Sequence, residues 1–126
     1  MINALFSDSS YVTAKKMLDV SVLRQEAIAS NLANVETPNY KRLDVASSFE
    51  SQLQSAISSG NSASVATMQP ELAVDTSAVS GRADGNTVQL ESEMLRLNEN
   101  TVENAAETEL INQSMAKIRM AVTGKS

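Results

Sequence analysis

Two stretches of the chain carry a helical rhythm of apolar and polar positions, and the stretch between them does not. From about Ser9 to Asn34 a face is marked by Tyr11, Ala14, Leu18, Ser21, Gln25, Ile28, Leu32 and Val35, stepping alternately by three and four. Steps of that size stack side chains on one side of a helix with 3.6 residues per turn. Ser7, Asp8, Ser9 and Ser10 offer N-caps for it. Pro38 closes the pattern, because it pushes Thr37 out of the α region. The second ladder is longer: Leu90, Met94, Leu97, Thr101, Asn104, Thr108, Ile111, Met115, Ile118 and Val122 run unbroken to Gly124. Seven of the ten are apolar, which predicts a buried stripe. Asp84-Gly85 is a turn signal, and Asn86-Thr87-Val88-Gln89 has the shape of a capping box, with Asn86 as N-cap. Glu91 and Glu93 near the start and Lys117, Arg119 and Lys125 near the end suit the helix macrodipole. A helix of about 35 residues spans roughly 50 Å. That is too long for a compact domain of this size and reads as a coiled-coil or bundle segment.

Between the ladders, Phe49, Leu53 and Ile57 sit four apart and predict a short helix over 45–58. From Ser59 to Gly85 the chain is rich in Ser, Ala and Gly, punctuated by SSGNSAS, Gln69-Pro70 and GRADG. Leu72, Val74 and Val79 suggest a short strand or hairpin there; the plainer reading is an exposed, mobile loop. The chain thus divides, within one domain of 1–126, into an N-terminal helix (9–34), a turn and short extension (35–58), a flexible insert (59–85) and a C-terminal helix (86–123). The expected fold is dominated by α-helix: an antiparallel hairpin of long terminal coiled-coil helices around a largely irregular insert with at most a short β-hairpin.

Composition narrows what such a fold does. Aromatic residues are 3% of the 126, and much of the 42% hydrophobic share is alanine, which buries little area. A self-sufficient core is hard to build from this chain, so its stripes call for partners. A net charge of −5 argues against nucleic acid, which needs a clustered cationic surface. Cysteine is absent, removing disulfides and thiolate metal sites, and histidine is absent, removing the usual general base and commonest metal ligand. No cofactor, metal or catalytic group is expected. The opening MINALFSDSS lacks the cationic and apolar regions of a secretory signal, and no run approaches the roughly 20 apolar residues of a membrane span. These features alone would place the chain in the cytoplasm.

The stretch SNLANVETPNYKR, Ser30 to Arg42, is the most specific feature. Asn31 and Asn34 are suited to backbone groups left open where a helix stops, and Thr37-Pro38-Asn39 forces a rigid exit toward Tyr40. It resembles the N-terminal signature of the bacterial flagellar axial proteins, the family of rod, hook and hook-associated subunits. Asn31, Leu32, Ala33, Asn34, Thr37, Pro38 and Tyr40 match position by position. The family usually has glycine where this chain has Asn39, and asparagine is the next-best residue at a positive-φ turn position. YKRLDVASSF, DGNTV with the helix after it, and IRMAVTGK resemble rod members in particular; the insert carries no resemblance. The resemblance implies a structural rod subunit exported by the flagellar type III apparatus without a cleaved signal. It would associate with itself, with other rod proteins and with a FliE-type adapter. The rival class is a soluble coiled-coil adaptor or export chaperone, with an enzyme a distant third.

Two further features are weighed against plainer meanings. Glu99, Glu103 and Glu107 recur every fourth residue, a solvated face or a docking stripe for a basic partner helix. Pairing the ladders so that polar meets polar makes facing position numbers add to 129. This sets Ser21 on Thr108, Gln25 on Asn104, Leu18 on Ile111 and Leu32 on Leu97. Ser21, Gln25, Asn104 and Thr108 would then form a hydrogen-bonded layer that fixes register.

Overall fold

The computed structural model describes residues 9–124. Helix α1 (Ser9–Ala33) leads through a turn into strand β1 (Leu43–Val45), followed by α2 (Ser47–Ser58) and α3 (Ser62–Thr67). Strand β2 (Leu72–Val74) and the long α4 (Leu90–Thr123) complete the chain. Helix α4 returns antiparallel along α1, so the expected helical hairpin is the frame of the molecule. Of the N-cap candidates for α1, Ser7 and Asp8 lie outside the described residues, while Ser9 and Ser10 are helical. At its far end α4 stops on Gly124, which takes φ +66° and donates its N–H to the Met120 carbonyl at 2.8 Å. A left-handed cap of this kind suits glycine, which has no Cβ to clash.

The insert carries more order than its composition implies. Asn61 caps α3, its side-chain oxygen accepting the Ser64 N–H at 3.1 Å. Strand β2 pairs antiparallel with β1, Leu43 opposite Val74 and Val45 opposite Leu72. The strand read around Leu72 and Val74 therefore finds its partner across α2 and α3 rather than in a local hairpin, and Val79 lies outside it. The helix expected over 45–58 begins at Ser47, because Val45 is used in the sheet.

The apolar core does not lie between the long helices. Val20 of α1, Val45, Ala46, Phe49, Leu53, Ala56 and Val65 form it, with Val12, Leu23, Met68 and Leu72 packed alongside. It fills the side of α1 that faces the sheet, α2 and α3. Nearby, the buried Lys16 extends its amine to the Met68 carbonyl at 2.5 Å. The opposite side of α1, through Ala14, Ser21 and Ile28, meets α4. Ala14 and Ser21 are small, and the hydrogen bonds that α1 and α4 share there run between polar groups.

Helix α4 presents Glu93, Leu97, Asn100, Asn104, Glu107, Ile111, Ser114 and Ile118 inward, all buried or half-buried. This is a four-three ladder, rotated from the expected one. Leu97, Asn104, Ile111 and Ile118 belong to both. At the alternate positions Glu93, Asn100, Glu107 and Ser114 replace Met94, Thr101, Thr108 and Met115, a turn of roughly 100° at those residues. The rotation puts a polar column inside and leaves Leu90, Met94, Met115 and Val122 exposed.

Candidate functional site

The signature at the end of α1 is the hub of a buried polar junction. Asn31 is 0% exposed and works as a clasp. Its side-chain oxygen accepts the Leu43 N–H at 2.8 Å and the Tyr40 hydroxyl at 3.2 Å. Its amide donates to the Leu43 carbonyl at 2.9 Å and to Glu93 at 3.2 Å. One side chain thus imitates a strand neighbour for β1 while holding the first turn of α4. Such an amide is costly to bury and specific once satisfied. Tyr40 also shares a hydrogen bond with Ser30 Oγ at 2.9 Å, so its ring is tethered back over α1.

Asn34 closes the helix as its position predicts. Its amide nitrogen donates to the Ser30 carbonyl at 2.8 Å, and its oxygen accepts the Thr37 hydroxyl at 3.1 Å. The turn Thr37-Pro38-Asn39-Tyr40 is closed by the Tyr40 N–H on the Thr37 carbonyl at 3.3 Å, with Asn39 at φ +62°. Pro38 presets the first central residue, and asparagine tolerates the positive φ of the second. Thr37, Pro38 and Ala33 are exposed, whereas Leu32 is half-buried.

Asn86 corrects the capping-box reading. Helix α4 begins at Leu90, and Gln89 precedes it without a side-chain cap. Asn86 is buried at the end of α1 instead. Its amide nitrogen lies 2.8–3.2 Å from the carbonyls of Asn34, Val35 and Thr37, and its oxygen accepts the Val88 N–H at 2.7 Å. The open carbonyls at the α1 terminus outcompete the α4 amides for this side chain. Arg82 reaches the Val35 carbonyl at 2.5 Å, and Thr87 donates its N–H to the Tyr40 carbonyl at 3.0 Å. The residues before α4 therefore sew its entry to the exit of α1.

Beneath the clasp lies Arg42, buried to 3% exposure. Its Nε donates to Glu93 at 2.6 Å, and its Nη1 serves Asp75 and, at 3.4 Å, Asp44. Burial lowers the pKa of the guanidinium, but these carboxylates outweigh it and raise it above the ordinary value. Burial pulls Asp75 upward, yet the Ser77 hydrogen bonds and Arg42 prevail and hold it below the usual carboxylate range. Arg42 closes the signature stretch without being one of its matched positions, and Glu93 lies outside it, so the sequence pattern did not single out either as a member of the junction. Among the described residues no group of side chains is arranged to hold a metal ion.

Midway along the hairpin the polar residues do meet, in a different register. The Asn104 amide donates to Ser21 Oγ at 3.0 Å, and the Asn100 amide donates to the Ser21 carbonyl at 2.9 Å and Gln25 Oε1 at 3.0 Å. Facing numbers add to 125 rather than 129, one turn away. Thr108 is exposed and bonds its own helix at the Asn104 carbonyl. Glu93 anchors this register, since it must reach both Asn31 and Arg42. In the acidic series, Glu99 and Glu103 are exposed and Glu107 turns inward. Burial pushes the Glu107 carboxyl above its ordinary value, with Ser21 opposing, Glu103 adding and Arg24 opposing.

The signature at the end of α1 and the helical hairpin that it joins together define the class of the flagellar axial proteins. The family described as "Flagella basal body rod protein" has a sequence model that matches residues 23–41, which span the end of α1 and the turn. A flagellar basal body rod protein FlgB of Borrelia hermsii is 33% identical over 105 residues, covering 69% of this chain and 76% of its own. FlgB of Cereibacter sphaeroides is 30% identical over 112 residues, covering 81% and 84%. FlgB of Borreliella burgdorferi is 51% identical over 41 residues, 32% of this chain and 29% of its own. The chain belongs to the flagellar basal body rod proteins, of the FlgB type.

Proposed function

We propose that this chain is a structural subunit of the proximal rod of the flagellar basal body, where its terminal helices pack into a helical tube that transmits torque. The observation that carries this reading is the junction of Asn31, Tyr40, Arg42, Asn86 and Glu93, which locks the exit of α1 to the entry of α4. A subunit under torsion needs its two long helices held at a fixed angle, and a fully satisfied polar junction does that better than an apolar contact free to slide. The role asks for no catalysis: the buried carboxylates of the junction are engaged by Arg42 and Asn31. The exposed side chains of α4, Leu90, Met94, Leu95 and Val102 among them, are surface for neighbouring subunits. Other rod proteins and a FliE-type adapter are the partners that fit this role. Glu99 and Glu103 offer acid to a basic partner helix. Export through the flagellar apparatus without a cleaved signal suits a cysteine-free chain with a small core. No helix of the described residues is long and apolar enough to cross a membrane.

The test is a strain in which Pro38 and Tyr40 are both replaced by alanine. Export of the chain stays measurable, while basal-body incorporation and motility are lost. Full motility in that strain would overturn the role assigned to the turn. Persistence of rods after deletion of the whole chain would overturn the rod reading itself.

A further inference from the structure

A groove of about 980 Å³ runs between α1, α2 and the C-terminal half of α4. Ala14, Met17, Leu53, Ile57, Ala106 and Leu110 make its walls mostly apolar. Glu107 lies among them, 7% exposed, and its Oε2 has no hydrogen-bond partner among the described residues. Glu50 and Glu103 stand at the rim with Arg24, whose guanidinium is already shared among Asp44, Glu50 and Glu103; Lys117 lines the groove as well. A buried carboxylate oxygen left without a donor is expensive. The groove therefore suits an apolar body that carries one cationic donor.

The same chain holds a surface of that description. Met115, Arg119 and Val122 follow one another at i, i+4 and i+7 on α4, a stripe of two apolar side chains around one guanidinium. All three are exposed, Met115 at 39% and Val122 at 58%, and among the described residues Arg119 forms no ion pair. The stripe and the groove occupy different faces of α4: Ser114 lines the groove, and Met115 is about 100° further round. One copy can therefore use both at once.

We propose that the groove receives the C-terminal end of α4 from a second copy of this chain, with Arg119 of that copy on Glu107 and its Met115 and Val122 against the apolar walls. A contact between two different surfaces of identical chains is head-to-tail, and it propagates into a ring or a helical array rather than stopping at a dimer. The inference rests on the reading of the chain as a subunit of a helical assembly and names the surfaces by which neighbouring copies meet.

Sedimentation velocity of the purified full chain over a range of concentrations tests it. The wild type forms concentration-dependent oligomers; E107R and R119E each weaken association at least tenfold, and E107R/R119E together restore it. E107Q, which removes the charge without adding bulk, weakens it without loss of helical circular dichroism. Because the chain contains no cysteine, singly substituted I57C and V122C proteins can be mixed under oxidation, and a disulfide-linked I57C–V122C heterodimer is expected in excess over either homodimer. Failure of the double charge reversal to rescue, or no excess of heterodimer, overturns the proposal. So does a groove variant that blocks only co-assembly with other rod chains while R119E has no effect, since the occupant is then another protein. In that outcome the rod reading stands; if copies associate as proposed but rods form without this chain, the rod reading alone falls.

Discussion

Asn31 shows how one amide can carry a junction. Its four contacts reach β1, Tyr40 and α4, and it is wholly buried. Asn31→Ala leaves the Leu43 amide and carbonyl and a Glu93 oxygen without that partner. A buried group left unsatisfied costs about 1–3 kcal/mol, so urea denaturation should show a loss of about 3 kcal/mol; a loss under about 1 kcal/mol would contradict the clasp. Two glycines give a matched pair. Gly60 and Gly85 both adopt positive φ, +71° and +76°, but a Cβ at Gly60 meets open space while one at Gly85 would lie 2.7 Å from Asn39 Oδ1. Left-handed backbone costs a non-glycine residue about 1–2 kcal/mol. Gly60→Ala should lose about that much, and Gly85→Ala clearly more, in the same denaturation assay. Equal losses would mean that Asn39 moves aside freely.

The pairing of α1 with α4 is polar enough to answer to pH. Glu107 faces Ser21 and Arg24 from α1 and Glu103 from its own helix, with Glu50 across the groove on α2. Its folded pKa lies above the ordinary value of 4.5. Its contribution is therefore fully present below pH 4.5 and is lost as pH rises through the raised folded value. Asp75 has the opposite sign. Its folded pKa lies below 3.8, so its contribution is present above that value and lost as pH falls through the lowered one. Stability measured by urea from pH 3 to 8 should fall on the alkaline side less steeply in Glu107→Gln than in the wild type. Asp75→Asn should flatten the acid side instead. Parallel curves for Glu107→Gln and wild type would show that the carboxyl is solvated in solution.

Across the whole molecule, order should follow the distribution of buried groups. The junction holds Asn31, Arg42, Asn86, Val88 and Glu93 at 3% exposure or less, whereas the last turns of α4 bury only Ile118. Local opening is cheapest where few groups are buried. Amide exchange of the isolated chain should be slowest at Asn31, Leu43 and Val88 and fastest in α4 beyond Ile118. In assembled rods those same turns should become protected. Uniform protection along α4 in the free chain would show that the hairpin needs no neighbour.

The linear pattern determined the two long helices, the end of α1 ahead of Pro38, the positive-φ turn at Asn39 and the end of α4 at Gly124. Each depends on neighbours within a few residues, through helical periodicity, the steric effect of proline or the freedom of glycine and asparagine. The motif from Asn31 to Tyr40 was legible for the same reason, as an ordered local string. Which face of α4 turned inward was decided elsewhere. Apolar side chains at Met94, Met115 and Val122 marked one stripe, yet Glu93 had to reach Arg42 and Asn31, and that requirement rotated the helix and moved its pairing by a turn. Asn86 left its helix for the open carbonyls of α1, and β2 found β1 across two helices. A buried charge or amide is stable only beside its partner. That partner is chosen in three dimensions, so the linear pattern of hydrophobicity could not point to it.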